Sequence, residues 1–252
     1  MAAEPDEAVC LRAWEWSETS QTVALLTRRG GVLRALAKGS RREKAPYSGG
    51  FEPLTLGEVL VIRKPADRLS LVTEWELRET FPAIRARYDA FEAGMYMAEA
   101  SLQGVSEGDP HPRVFEALIA GLRRLDRSPR VAAAWFLWKL LVDLGVGLDL
   151  ERDVRADAPL DLDRSLVLDP RAGGFTRVED DSIRSRWGVR AETVERLRDL
   201  SRAEPESLER LDAPGTRRAL RLLDAYLATV LGRPLVSSGW LDLPEGRGST
   251  PE

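Results

Sequence analysis

The chain of 252 residues is nearly without the side chains on which most catalytic centres are built. It has one histidine, His111, and one cysteine, Cys10. A single cysteine forms no internal disulfide and no cysteine-rich metal site. One of each gives no support to a cysteine–histidine nucleophile. His111 stands in Asp109-Pro110-His111-Pro112, where a capping or surface-loop role is expected. Cys10 lies among apolar residues and is read as a core filler. No glycine-rich phosphate loop followed by Lys-Ser/Thr occurs, which argues against an NTPase. Carboxylates are plentiful, but none stands in a pattern that separates an acid/base pair from solvated surface. The longest apolar run, Val131 to Leu144, is broken by Lys139 and Asp143 and is too short to span a bilayer. Met1 to Glu7 is acidic and lacks the basic start of a signal peptide. The expectation is a cytoplasmic protein with no catalytic residues, no cofactor and no membrane partner.

What is present is an uneven charge. The net charge is −4, yet Arg12 to Arg68 carries 11 Lys+Arg against 6 Asp+Glu. Within Leu26 to Lys44, Arg28, Arg29, Arg34, Lys38, Arg41, Arg42 and Lys44 face one acid, Glu43. Such asymmetry suggests that one part of the chain meets a polyanion. With 43% hydrophobic residues there is enough apolar material for a real core.

Up to about Arg78 the sequence reads as strands: Val9–Trp14, Gln21–Thr27, Val32–Lys38, Leu54–Arg63 and Leu69–Glu76. Gly30-Gly31, Gly39-Ser40, Gly49-Gly50 and Pro65 separate them, with a tight hairpin at Arg28-Arg29-Gly30-Gly31. Five short strands suit an OB-type Greek-key barrel, with an SH3-like barrel as competitor. After Thr80, read as an N-cap, helices are predicted at Pro82–Leu102, Pro112–Leu125, Pro129–Leu144, Ala191–Arg202 and Pro214–Leu231. Val131, Trp135, Trp138 and Val142 share one face of the third, and leucines cover much of the rest, so it is predicted to be the buried centre of a bundle. The expected organisation is α+β: a barrel over 1–79, a helical domain over 80–243 with an irregular insertion at about 147–181, and a disordered tail at 244–252.

The candidate site is the basic edge. Arg34, Leu36 and Lys38 point to one side of an extended strand, and Gly39-Ser40-Arg41-Arg42 follows at once. Glycine lets a backbone approach closely, and several cations in a loop can each neutralise a phosphate. Tyr47 and Phe51 are candidates to stack on bases, or else to plug the barrel. Asp153, Asp157, Asp161, Asp163 and Asp169, with Glu179-Asp180-Asp181, fit no calcium loop and read as solvated acids. Arg123, Arg124, Arg127 and Arg130 around one loop, and Arg217, Arg218 and Arg221 on the last helix, read as solvated faces, with an acidic-peptide groove as the minor alternative.

Ser17-Glu18-Thr19-Ser20-Gln21, Leu25-Leu26-Thr27 and Leu36-Ala37-Lys38-Gly39-Ser40-Arg41-Arg42 resemble the N-terminal signature of the RecO recombination mediators. Gly49-Gly50-Phe51-Glu52-Pro53-Leu54 is similar to the segment that follows it there. The likeness returns at Arg218-Ala219-Leu220 and at Leu231-Gly232-Arg233-Pro234-Leu235, close to Ser237. The resemblance implies an N-terminal five-stranded OB-fold barrel and a helical domain with an inserted zinc-ribbon-like segment. It implies a non-enzymatic role in recombinational repair. Such proteins bind single- and double-stranded DNA, anneal complementary strands, dock on the acidic tail of the single-stranded-DNA-binding protein and, with RecR, help load RecA. By this resemblance the DNA-binding residues are Arg34, Lys38, Arg41 and Arg42, with Arg28 and Lys44 added.

One departure is plain. Many members carry two cysteine pairs in the insertion; the matching positions here fall near Asp153, Ala156, Arg177 and Asp180. No thiolate remains, so no structural zinc is expected, and the order of 147–181 comes into question. The competing function is an RNA- or ribosome-binding OB module with a helical adaptor; an enzyme with an unrecognised carboxylate site is third.

Overall fold

The computed structural model describes residues 3–65, 68–163, 165–177, 187–211 and 213–242. The tail expected to be disordered lies outside them. The N-terminal strands are β1 (Glu4–Glu15), β2 (Gln21–Thr27), β3 (Gly31–Ala37), β4 (Tyr47–Ser48), β5 (Leu56–Ile62) and β6 (Ser70–Glu79). They run β3-β2-β1-β5-β6, and a parallel β3–β6 pairing closes five of them into an OB-type barrel. The two-residue β4 joins the outer edge of β6.

β1 serves two neighbours, and a bulge makes this possible. Glu4–Val9 pairs with β5, Ala8–Glu15 pairs with β2, and the register slips between Cys10 and Arg12. The extra residue bends the strand and changes which face the following side chains use. Cys10, Val23, Leu25, Leu33 and Ala35 fill the barrel interior, where burial pushes the Cys10 thiol up to about 12. Val9, Leu11, Leu26 and Val32 point outward and join a second, larger core built with the helices.

The helices are α1 (Pro82–Ala86), α2 (Tyr88–Gly104), α3 (Pro112–Leu122), α4 (Pro129–Asp143), α5 (Ala191–Arg202) and α6 (Ala213–Leu231). Two 3-10 helices, Pro205–Arg210 and Val236–Asp242, complete the bundle. The expected helix Pro82–Leu102 is two helices, because Arg87 between them is extended at φ −137° and ψ 128°. Thr80 is not the N-cap residue of α1; buried Phe81 takes that position, in a left-handed conformation at φ 48° and with no side-chain cap. α4 is buried almost all round and is the centre of the bundle. Val142 is the exception on its predicted apolar face, exposed at the last turn.

The barrel and the helices are joined at the β2–β3 turn. Val32 N–H donates to the Ser106 carbonyl at 3.3 Å, and Gly108 N–H to the Gly30 carbonyl at 3.2 Å. Gly31 sits at φ +62°, and a Cβ there would stand 2.2 Å from the Asp109 carbonyl oxygen and 2.5 Å from that of Ser106. Both are backbone atoms, so the turn must shift to admit a side chain. Gly31→Ala is therefore expected to cost roughly 1–3 kcal/mol of stability. A urea midpoint equal to that of the wild type would contradict this packing.

Candidate nucleic-acid interface

The outer side of β1-β2-β3 changes character along its length. Near the helices it is apolar and covered. Past the bulge it is open, and cross-strand register defines two rows. Arg12 lies opposite Ala24, which lies opposite Arg34. Trp14 lies opposite Thr22, which lies opposite Leu36. Arg12, Trp14, Arg34 and, one step further along β3, Lys38 are exposed. The Arg12 guanidinium stands 4.9 Å from the centroid of the Trp14 ring.

The loop after β3 is fixed against the β1–β2 hairpin. Gly39 N–H donates to Ser20 Oγ at 3.0 Å, Ser40 Oγ to Gln21 Oε1 at 3.1 Å, and Arg41 N–H to the Thr19 carbonyl at 3.1 Å. Gly39 takes φ +71°, a conformation that favours glycine. The Ser-Glu-Thr-Ser-Gln and Lys-Gly-Ser-Arg-Arg segments are thus two halves of one interlock. It holds Lys38, Arg41, Arg42 and Lys44 at the rim of the open face.

These cations differ in how far they are already engaged. Arg41 pairs with exposed Glu15 at 2.9 Å, and Arg34 reaches Glu107 only at 4.0 Å. Lys38, Arg42 and Lys44 are exposed and form no ion pair among the described residues. Arg28 is placed otherwise. It is half-buried, salt-bridged to Glu7 at 2.7 Å and to Glu116 of α3, and its guanidinium lies 4.9 Å from the Phe115 ring centroid. Its charge ties the barrel to the helices.

Tyr47 and Phe51 are not base-stacking residues. Both are buried with Trp75, at centroid separations of 5.5 Å for Tyr47–Phe51 and 5.0 Å for Phe51–Trp75. Tyr47 Oη donates to the Val72 carbonyl at 2.7 Å, and burial raises the phenol's pKa. The pair plugs the barrel. The exposed aromatics among the described residues include Tyr88, at the start of α2, and, on the barrel, Trp14 and Trp16, which sequence reasoning passed over. Strict alternation from buried Cys10 aims Trp14 into the barrel, and only the bulge turns it out.

The other candidates are absorbed by the fold. Arg123 bonds Glu79 at 2.7 Å, Arg127 bonds Glu209 at 2.6 Å, and Arg124 donates to the Pro205 carbonyl at 3.1 Å. Arg130, expected among exposed cations, is buried 5.5 Å from the Trp240 ring centroid. Arg218 pairs with Glu192 and Arg221 with Asp242. His111 occupies the N-cap position of α3 without capping it; Nδ1 lies 2.7 Å from Asp143 Oδ2, and the ring is mostly buried. Among the described residues no helix is long and apolar enough to cross a membrane.

The insertion is folded where it is described. β7 (Asp149–Asp153), β8 (Ala158–Pro159), β9 (Leu166–Asp169), β10 (Gly174–Arg177) and β11 (Trp187–Val189) form a sheet in the order β11-β9-β10-β7-β8. The hairpin expected at Leu166–Thr176 is its centre. Two acids read as solvated are buried in its turns. Asp153 Oδ1 accepts the N–H groups of Arg155 and Ala156, each at 3.0 Å, and Oδ2 accepts Arg177 N–H at 3.2 Å. Asp169 Oδ1 accepts those of Arg171 and Ala172, while Oδ2 receives Arg155 Nε at 2.8 Å. These lone pairs are spent on amides and a guanidinium, and a dication beside Arg155 meets repulsion. Among the described residues no cluster of three or more His, Cys, Asp or Glu is placed to hold a metal. The residues do not fit zinc; Asp180, near one cysteine position, lies outside the described residues.

A five-stranded OB-type barrel with a basic rim, fused to a helical domain that carries a small sheet, is the architecture of this chain, and the proteins it is similar to are DNA repair proteins. The sequence model for "Recombination protein O N terminal" matches residues 1–81, and that for "Recombination protein O C terminal" matches residues 85–239. The chain belongs to the recombination protein O family. A "DNA repair protein RecO" from Frankia casuarinae is 30% identical over 243 residues, covering 94% of this chain and 97% of the relative. One from Anaeromyxobacter sp. (strain K) is 30% identical over 240 residues, covering 93% and 94%. The matches to relatives from Rhodopirellula baltica, 38% identical, and Salinibacter ruber, 31% identical, span only about half of either protein: 50% of this chain and 46% of the first, 51% and 50% for the second.

The buried carboxylates set an acid limit. Burial alone raises the pKa of Asp153 and of Asp169, but the amide, Thr176 and Arg155 hydrogen bonds outweigh it and hold both below the ordinary 3.8. A lowered folded-state pKa stabilises above the unfolded value and is lost as pH falls through the folded one. The insertion is expected to hold at neutral pH, to loosen below about pH 4, and to ignore chelators. Asp153→Ala orphans three amides and is expected to cost roughly 1–3 kcal/mol at neutral pH. Melting curves with and without EDTA, from pH 7 to 3, check all three; a chelator-sensitive transition contradicts them.

Proposed function

We propose that this chain is a non-enzymatic recombination mediator that holds single- and double-stranded DNA along the open β1-β2-β3 face. The observation that carries this is the cation set at the rim. Lys38, Arg42 and Lys44 project from a loop pinned to the neighbouring hairpin, so their charges are pre-positioned. A phosphate backbone releases counterions when such charges replace them, which drives binding without base specificity. Arg34 and Arg41 have exposed, weakly engaged partners and join the same track. Two strands neutralised on one face repel each other less, which lets complementary bases pair: an annealing activity with no covalent step. Arg28 serves the barrel–helix joint and is left out of the interface.

The family supports the wider role. In that role the protein acts in the cytoplasm at the nucleoid, docks on the acidic tail of the single-stranded-DNA-binding protein, works with RecR, and so helps place RecA on coated DNA.

Arg42→Ala with Lys44→Ala removes two phosphate contacts. The slope of log K against log salt is expected to shrink by about 1.4 on single strands and about 1.8 on duplex. Arg28→Ala is expected to leave the slope unchanged and to lower the melting temperature. Equal slopes for wild type and the double variant would remove the rim from the interface.

A further inference from the structure

We propose that Trp14 and Trp16 form a stacking platform for unpaired bases, which gives the basic face its hold on single strands. This rests on the DNA-binding reading above and adds a second kind of contact to it. The two rings are 38% and 61% exposed, in a protein whose other tryptophans among the described residues are at least half-buried. Two exposed indoles two residues apart, beside a line of cations, make a local feature of this face. Trp14 stands in the row with Thr22 and half-buried Leu36, one step from Arg12 and Arg34. Trp16 continues the hairpin, with its N–H donating to the Ser20 carbonyl at 3.0 Å.

The surroundings select the occupant. Arg12 lies over the Trp14 ring, Lys38 emerges from the same sheet face, and Arg41, Arg42 and Lys44 sit on the loop that is bonded to this hairpin. A ligand that meets aromatic faces and a line of cations together is a chain of alternating flat rings and anions. Trp14 lies one residue before the end of β1 and Trp16 one residue past it, so two exposed rings are offered close together in the chain to bases whose faces are uncovered. In a duplex the base faces are covered by their neighbours, and only the phosphates are within reach.

The test compares oligothymidylate and a duplex of equal charge, by anisotropy, for wild type and for Trp14→Ala, Trp16→Ala and the two together. Each alanine is expected to weaken oligothymidylate binding roughly 5- to 150-fold. Duplex affinity and the salt slope are expected to stay within about twofold of wild type, and phenylalanine at either position to restore most of the loss. Oligothymidylate is also expected to quench tryptophan fluorescence, and the Trp14→Phe/Trp16→Phe protein to lose that quench. Alanine variants that bind oligothymidylate like wild type, as they do if these rings dock a protein instead, overturn the platform. An equal loss on duplex, or a loss that phenylalanine does not restore, overturns it as well. If these variants bind normally while Arg42→Ala/Lys44→Ala weakens binding, the DNA-binding reading stands and only the stacking claim fails. A wild type that binds neither oligonucleotide ends both.

Discussion

The bulge after Cys10 divides one sheet face between two tasks. Before it, the outward side chains of β1 and its neighbour, Val9 and Leu26, lie opposite each other and are sealed against the helices. After it, Arg12 and Trp14 occupy the outward positions and face solvent. A regular strand bends poorly and keeps one alternation throughout. With it, β1 would send Arg12 and Trp14 inward with Cys10, and the barrel would bury a charge. The slip of one residue makes β1 a hinge between β5 and β2 and exposes the part of the sheet where we place DNA. The interlock of Gly39–Arg41 with Thr19–Gln21 then fixes the rim cations to that exposed half.

The insertion shows a different economy. A zinc site folds a small sheet by drawing distant turns onto one ion. Here Asp153 and Asp169 hold the turns by their amides, and Arg155 spans from one turn to the other. The contacts to the amides of Arg155, Ala156, Arg171 and Ala172 are local and order each carboxylate's own loop, while Asp153 also reaches the Arg177 amide on a separate strand. The cross-links among the described residues include the Arg155–Asp169 ion pair at 2.8 Å, the Arg177 N–H on Asp153 at 3.2 Å and the Arg177–Asp161 pair at 3.5 Å, and Phe175 and Leu168 add cohesion from the core. The sheet is therefore held without thiolates, because the carboxylates accept the turn amides.

The barrel was legible in the sequence because its strands are short, apolar and separated by glycine, and the OB topology followed from their number and from the family signature. The bundle was legible from the all-round burial of α4. The errors have physical sources. Thr80 has the chemistry of an N-cap, but buried Phe81 took the position with a left-handed backbone. Tyr47 and Phe51 left two readings open in the sequence, base stacking or a barrel plug, and the structure shows the second. Asp153 and Asp169 look like solvated acids because nothing in composition shows that their partners are backbone amides. Arg28 is a separate matter: it stands in the densest cation run and meets Glu116 from 88 residues away, which is why our proposal assigns it to the barrel–helix joint. Trp14 was hidden by the bulge, which has no composition signal of its own, and Trp16 stands just past the end of β1.

The central claim is that DNA lies on the barrel face between the β1–β2 hairpin and the loop after β3. Hydrogen exchange with and without saturating oligothymidylate tests it without any substitution. Protection is expected in the amides of residues 16–20 and 39–46, with little change in α3, α5 and α6. Protection confined to the helical domain, with both barrel loops exchanging as in the free protein, would contradict it.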